Sequence, residues 1–189
     1  MKNAILIHGN PSKKEFYDIN EPTPSNAHWF PWLTRELMMH DIHTISLEMP
    51  LSFEPQYKIW KKELERYDIN DETILVGHSC WGWFLLRWLS ENPYLKTNKI
   101  VLVAPWLDPF WEIEEKDFFN FTFDLELCSK RDIIIFHSDD DMKPIQVSLK
   151  KIQDIYPDFR VKYFQNYGHF CKNDLWSEVF SELLSEIIK

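Results

Sequence analysis

Six short runs in which apolar and β-branched residues follow one another with little polar interruption recur along the chain: residues 4–8 (AILIH), 42–47 (IHTISL), 73–76 (TILV), 100–104 (IVLVA), 133–137 (IIIFH) and 160–164 (RVKYF). Their length and composition predict strands. Most lack the strict apolar–polar alternation of a sheet with one wet face, so both faces are expected to be covered, as in parallel strands flanked by helices. Helical periodicity falls between them, over 29–40, 57–67, 80–89, 144–156 and 174–188. The last places Leu175, Val179, Leu183 and Ile187 on one stripe, with Asn173 or Asp174 available as N-cap. Strand and helix alternate throughout, which predicts a three-layer α/β/α architecture around a mostly parallel, doubly wound, six-stranded sheet. In such sheets the functional groups lie outside the carboxyl ends of the strands.

Two segments do not fit the alternation. Residues 10–27 form a polar stretch with three prolines, and residues 105–128 are crowded with aromatics, among them Trp106, Phe110, Trp111 and Phe118. Both follow strand ends, where they are candidates to line or cover a pocket; a connecting helix packed on the sheet explains the second equally well. No repeat, low-complexity tract or linker divides the chain, so residues 1–189 are read as one domain, and a chain of this length buries roughly 70% of its unfolded surface without a metal or disulfide staple.

Composition narrows the function. A net charge of −9 and the lack of any long cluster of Lys and Arg argue against nucleic acid as a partner. The apolar run after Met1-Lys2 is too short for a signal peptide, and none approaches the roughly 20 residues of a membrane helix, so a soluble, cytoplasmic protein is expected. Three cysteines, Cys80, Cys128 and Cys171, lack the spacing of zinc ligands and cannot all pair; they read as small buried hydrophobes. Glycine is scarce, with four in the chain, yet two of them, Gly77 and Gly82, flank one serine.

That serine is the strongest chemical signal. In residues 73–82 (TILVGHSCWG) a strand runs into Gly77-His78-Ser79 and on into a helix, the setting of a nucleophile elbow. Alone, such a triplet is weak. A serine hydroxyl needs an imidazole to take its proton and a carboxylate to orient that imidazole, delivered in the order Ser, Asp, His from later strand ends. The chain supplies Ser138-Asp139-Asp140-Asp141 after its fifth strand and Gly168-His169 after its sixth. Ser79 is the candidate nucleophile, His169 the base and Asp141 the orienting acid, with Asp140 the second choice. Backbone amides of Asn10, after the first strand, and Cys80 are the candidate oxyanion hole. Trp81, Trp106 and Trp111 are candidates for an apolar substrate pocket, against the more common fate of aromatic clusters as core.

These residues resemble the small serine hydrolases of the retinoblastoma-binding-protein type, a branch of the α/β-hydrolases without a large cap domain. The resemblance covers most of the chain and rests on His8-Gly9-Asn10, on residues 28–33 (HWFPWL), on Gly77-His78-Ser79-Cys80, on the 138–141 turn and on Gly168-His169-Phe170. It implies hydrolysis of small esters or peptide-like acyl substrates through an acyl-enzyme, with no cofactor and no metal. The family usually carries glycine where this chain has Trp81, and proline where it has Met142. Two other readings compete: a hydrolase-fold binding module whose acyl site Trp81 obstructs, and metal-assisted hydrolysis by His8, His78, His137 and His169, which lack ligand spacing.

Overall fold

The computed structural model describes residues 1–108, 110 and 116–189. All six runs form strands, β1 (Asn3–Ile7), β2 (His43–Leu47), β3 (Thr73–His78), β4 (Lys99–Val103), β5 (Ile133–Ser138) and β6 (Arg160–Phe164). They pair in the order β2-β1-β3-β4-β5-β6, parallel throughout, with Ile5 registered between Ile45 and Leu75. The described helices are α1 (Lys13–Tyr17), α2 (Phe30–Met39), α3 (Tyr57–Leu64), α4 (Cys80–Glu91), α5 (Lys116–Phe119), α6 (Leu127–Lys130), α7 (Lys143–Ile155), α8 (Lys172–Leu175) and α9 (Ser181–Ile187), with a short 3₁₀ turn at Pro24–Asn26.

Successive strand residues point to opposite faces, and each face has its own core. Ile5, Ile7, Leu75 and Leu102 pack with Trp60 of α3, Phe84 of α4 and Leu149 of α7. Ala4, Leu6, Val76 and Val103 pack with Phe30 and Leu33 of α2 and Leu183 of α9. This is why the strand sequences read as continuous apolar runs: every side chain of β3, β4 and β5 is buried, each large one contributing about 1.5–3 kcal/mol. The edge strands β2 and β6 mix exposed and half-buried positions with buried ones.

The C-terminal helix departs from expectation. Its stripe of 175–187 is split into α8 and α9 by residues 176–180. Cys171, not Asn173 or Asp174, caps α8, and Asp174 completes that capping box from the third helical position. Trp176 ends α8 in the left-handed region at φ 50°, and the Ser177 hydroxyl accepts the Val179 N–H, an alternative to helical bonding. The break carries Phe180 into the core, stacked on Phe170 and edge-on to Trp29, and leaves Val179 half exposed.

The chain leaves β1 toward β2 on one side and returns to β3 on the other, so the crevice at the carboxyl ends of β1 and β3 is the sheet's switch point. Residues 8–10 and Ser79 emerge there. Among the described residues no helix is long and apolar enough to cross a membrane.

Candidate active site

Between the last residue of β3, His78, and the first of α4, Cys80, only Ser79 turns the chain, at φ 57° and ψ −124°. A non-glycine residue there costs on the order of 1–3 kcal/mol and persists only when its surroundings fix it. They do: the Ser79 N–H donates to the Val103 carbonyl at 2.9 Å, and its own carbonyl accepts from Gly82 and Trp106, both at 3.0 Å.

Trp81, in the place of the family's glycine, does not enter this turn. Its indole is fully buried on the opposite side, stacked on Trp60 at 3.6 Å between ring centres and edge-on to Phe84. Close approach is provided by the next residue instead, since a side chain at Gly82 would meet the Pro105 Cβ at 2.6 Å. The expectation of Trp81 as a pocket residue is therefore corrected, because α3 supplies an aromatic partner for the indole inside the core.

The three aspartates after β5 divide their work. Asp139 Oδ1 accepts the Asn166 N–H and Asp140 Oδ1 accepts the Gly168 N–H, both at the start of the histidine loop. Asp140 also accepts from the Ser138 hydroxyl, the main reason its carboxyl is held below the ordinary range. Asp141 reaches the imidazole, with His169 Nδ1 at 3.0 and 3.1 Å from its two carboxylate oxygens. The Asp141 side chain is 0% exposed and its Oδ1 also accepts the Met142 N–H. Since an ionised carboxylate only accepts, Nδ1 carries the proton and Nε2 holds the lone pair.

Ser79 and His169 line one cavity of about 360 Å³ together with Gly9 and Asn10. A side chain at Gly9 would meet Ser79 Cβ at 3.2 Å, so the end of β1 presses against the elbow. Cys80 opens α4, where first-turn amides lack an intrahelical acceptor. The rest of the wall comes largely from the segment at 10–27: Pro11, Pro22, Pro24 and Ala27, with the carboxylates of Glu15 and Glu21. Trp106 does not line it; half-buried, it packs on Phe119. Trp111 lies outside the described residues. Phe119, Phe121 and Phe123 gather around Trp83, and Phe118 packs on Trp60, so the pocket is walled by prolines where tryptophans were expected.

Three further histidines surround the site. His8 donates from Nδ1 to the Gly9 carbonyl and accepts the Met49 N–H at Nε2; burial lowers its pKa. His28 accepts the Lys172 N–H, and its pKa is lowered by burial and by the nearby His169. His78 sits 4.8 Å from the His169 ring, lowered chiefly by burial. His137 bonds Gln146 locally. Among the described residues no three His, Cys, Asp or Glu side chains converge as metal ligands. Cys80 is fully buried, with its thiol pushed up by burial, and the half-buried Cys171, in the cavity wall, is pushed up to about 12 by burial and by Asp174, so neither is a thiolate near neutrality.

A model of the serine hydrolase family matches residues 22–175. YdeN of Bacillus subtilis (strain 168), assigned as a hydrolase, is 28% identical over 180 residues, covering 92% of this chain and 88% of YdeN. The crystal structure of the ydeN gene product superposes with a TM-score of 0.78 at 23% identity, over 99% of this chain and 97% of that one. Est1E of Butyrivibrio proteoclasticus, solved with ferulic acid bound, shares the fold at a TM-score of 0.63 and 14% identity, over 100% of this chain and 87% of Est1E.

Proposed function

The chain belongs to the serine hydrolase family and is a hydrolase of small molecules, and from that premise we propose that Ser79, His169 and Asp141 form its catalytic triad and act through an acyl-enzyme. The carrying observation is the pairing of His169 Nδ1 with a fully buried Asp141 carboxylate, in a histidine that shares its cavity with a serine held at a strained turn. Nε2 of His169 takes the Ser79 proton as Oγ attacks the acyl carbon; Asp141 fixes the tautomer and stabilises the imidazolium. The amides of Asn10 and Cys80 receive the oxyanion, and His169 returns the proton to the leaving group. Water then repeats the sequence to release the acid.

The substrate is a small ester or peptide-like acyl compound whose acyl part is compact and apolar, matching the prolines and Ala27 of the wall and a cavity at the small end of ligand sites. The binding-module alternative depended on Trp81 obstructing the acyl site, and the indole lies in the core.

A fluorophosphonate probe read by intact mass tests the proposal without a known substrate. One probe per protein is expected on the parent and none on Ser79→Ala or His169→Ala. A folded parent that stays unlabelled, or a labelled Ser79→Ala, contradicts it.

A further inference from the structure

His78 contributes neither nucleophile nor proton acceptor to the mechanism above, yet its ring lies at the centre of the site. Its Nε2 is 2.9 Å from the main-chain carbonyl of His169. A carbonyl only accepts, so Nε2 carries the proton, and in a neutral ring Nδ1 is then a lone pair. That Nδ1 is buried and has no hydrogen-bond partner among the described residues. A residue kept only to fill this space would be better apolar, because phenylalanine occupies similar volume and leaves no orphaned acceptor. The surroundings are built for a flat ring: Trp29, the N-cap of α2, Phe30 of that helix and the His28 imidazole all lie within 6.5 Å of its centre. What histidine adds over phenylalanine is the Nε2–H.

The place at which that hydrogen bond acts is specific. The adjoining carbonyl, that of Phe170, accepts from Trp29 Nε1 at 2.9 Å. Two consecutive carbonyls, beginning with that of His169, are thus gripped from one side while Asp141 holds the imidazole from the other. Rotation of the 169–170 peptide would swing Nε2 relative to Ser79, and the His78 bond opposes that rotation. Position 78 immediately precedes Ser79, so one rigid strand end sets the nucleophile and the base relative to each other. Its neutrality also matters: burial, reinforced by His169, His28 and His8, disfavours a charge on His78, and a second cation 4.8 Å from His169 would oppose the imidazolium formed during attack.

We propose that His78 is a positioning residue, which fixes His169 against Ser79 by donating Nε2–H to the His169 carbonyl. The inference rests on the reading of Ser79 and His169 as nucleophile and base, and the test separates the two. Second-order rates of fluorophosphonate labelling would be compared for the parent, His78→Phe and His78→Gln, with melting temperature in parallel and, on an ester that the parent turns over, kcat and KM. His78→Phe is expected to label about 10- to 100-fold more slowly and to lose kcat with KM little changed, since misplacement of a reacting group by fractions of an ångström acts on the barrier. His78→Gln, whose side-chain amide also donates, is expected to recover most of the rate.

Labelling of His78→Phe at the parent's rate overturns the inference and leaves the triad standing. So does a His78→Gln variant as slow as His78→Phe with an intact melting transition. An unlabelled parent overturns the triad, and this inference with it. If His78→Phe does not fold, ¹⁵N spectra of histidine-labelled parent decide the matter: a neutral His78 protonated at Nε2 supports the proposal, and one protonated at Nδ1 contradicts it.

Discussion

Two loops face each other across the cavity, and they are held in opposite ways. In the histidine loop every amide from Asn166 to Lys172 has an acceptor, in order Asp139, Ser138, Asp140, Asp174, the Tyr167 carbonyl, Asp174 and His28. Those acceptors come from α2's leading turn, the end of β5 and α8, so the loop is tied to three parts of the fold. The 10–27 segment is bonded mostly to itself: Ser12 and Glu15 cap α1, Asn20 bonds Asp18, and Asn26 bonds Thr23. Helix α1 buries no residue, and the described hydrogen bonds to the body run through Ser25, to Glu48 and Ser46, and through the Ala27 carbonyl, which accepts the Phe30 N–H. Local stability follows the number of such ties. The side of the cavity that carries His169 is tied down at every amide, and the facing side is built from an independently capped, largely exposed segment.

Breaking the rigid side has the largest expected effect. Asp141→Asn leaves the loop in place but loses control of the imidazole tautomer, and turnover of an ester substrate should fall about 10³- to 10⁴-fold with folding intact. Asp140→Asn keeps an Oδ1 that can accept from both Ser138 and Gly168, so its turnover is expected to stay close to the parent's; an equal loss in both variants would erase the division of labour among the aspartates. Trp29→Phe removes the donor to the Phe170 carbonyl 141 positions away in sequence and leaves a buried acceptor unpaired, which should lower stability by about 1–3 kcal/mol in denaturant unfolding.

The buried histidines give a smaller, pH-dependent effect. His8, His28 and His78 are held below the ordinary value of 6.5 chiefly by burial, so each is neutral in the folded protein where the unfolded chain is already protonated. The unfolded state then binds more protons, and stability should fall as pH drops from about 6.5 toward the folded-state values. Denaturant midpoints measured from pH 7.5 to 5 check this, and a shallower dependence is expected for His78→Gln. The smallest effect belongs to the other loop. Ser12→Ala removes the cap of α1, and since that helix buries nothing, amide exchange over residues 13–17 should quicken while the global melting temperature stays within a degree or two.

The same contrast governs what can be read from sequence. Strand positions are legible because burial on both faces forces continuous apolar runs, and β1 to β6 fall within about two residues of them. That Ser79, Asp141 and His169 lie at one rim is legible because chain order and strand ends bring them there; the roles proposed for them are a separate matter. The split of the C-terminal helix is not, since it turns on whether Val179 or Phe180 finds room beside Phe170, a matter of tertiary packing. Nor is the destination of Trp81, which depends on Trp60 of a different helix. Of the two segments that break the strand–helix alternation, 10–27 lines the cavity, while Trp106 of the aromatic segment packs on Phe119 away from it, and periodicity alone does not separate the two fates. His78 and Trp29 stand inside recognisable motifs, but their side chains make hydrogen bonds spanning 91 and 141 residues, which no local pattern announces.

In the proposed mechanism Ser79 carries the acyl group during turnover, and a slowly deacylating p-nitrophenyl ester tests this directly. Rapid mixing should give a burst of nitrophenolate equal to the enzyme concentration, with the acyl mass on the peptide that contains Ser79. Turnover without a burst and with no adduct in the quenched enzyme, or an adduct on any other residue, would contradict the account.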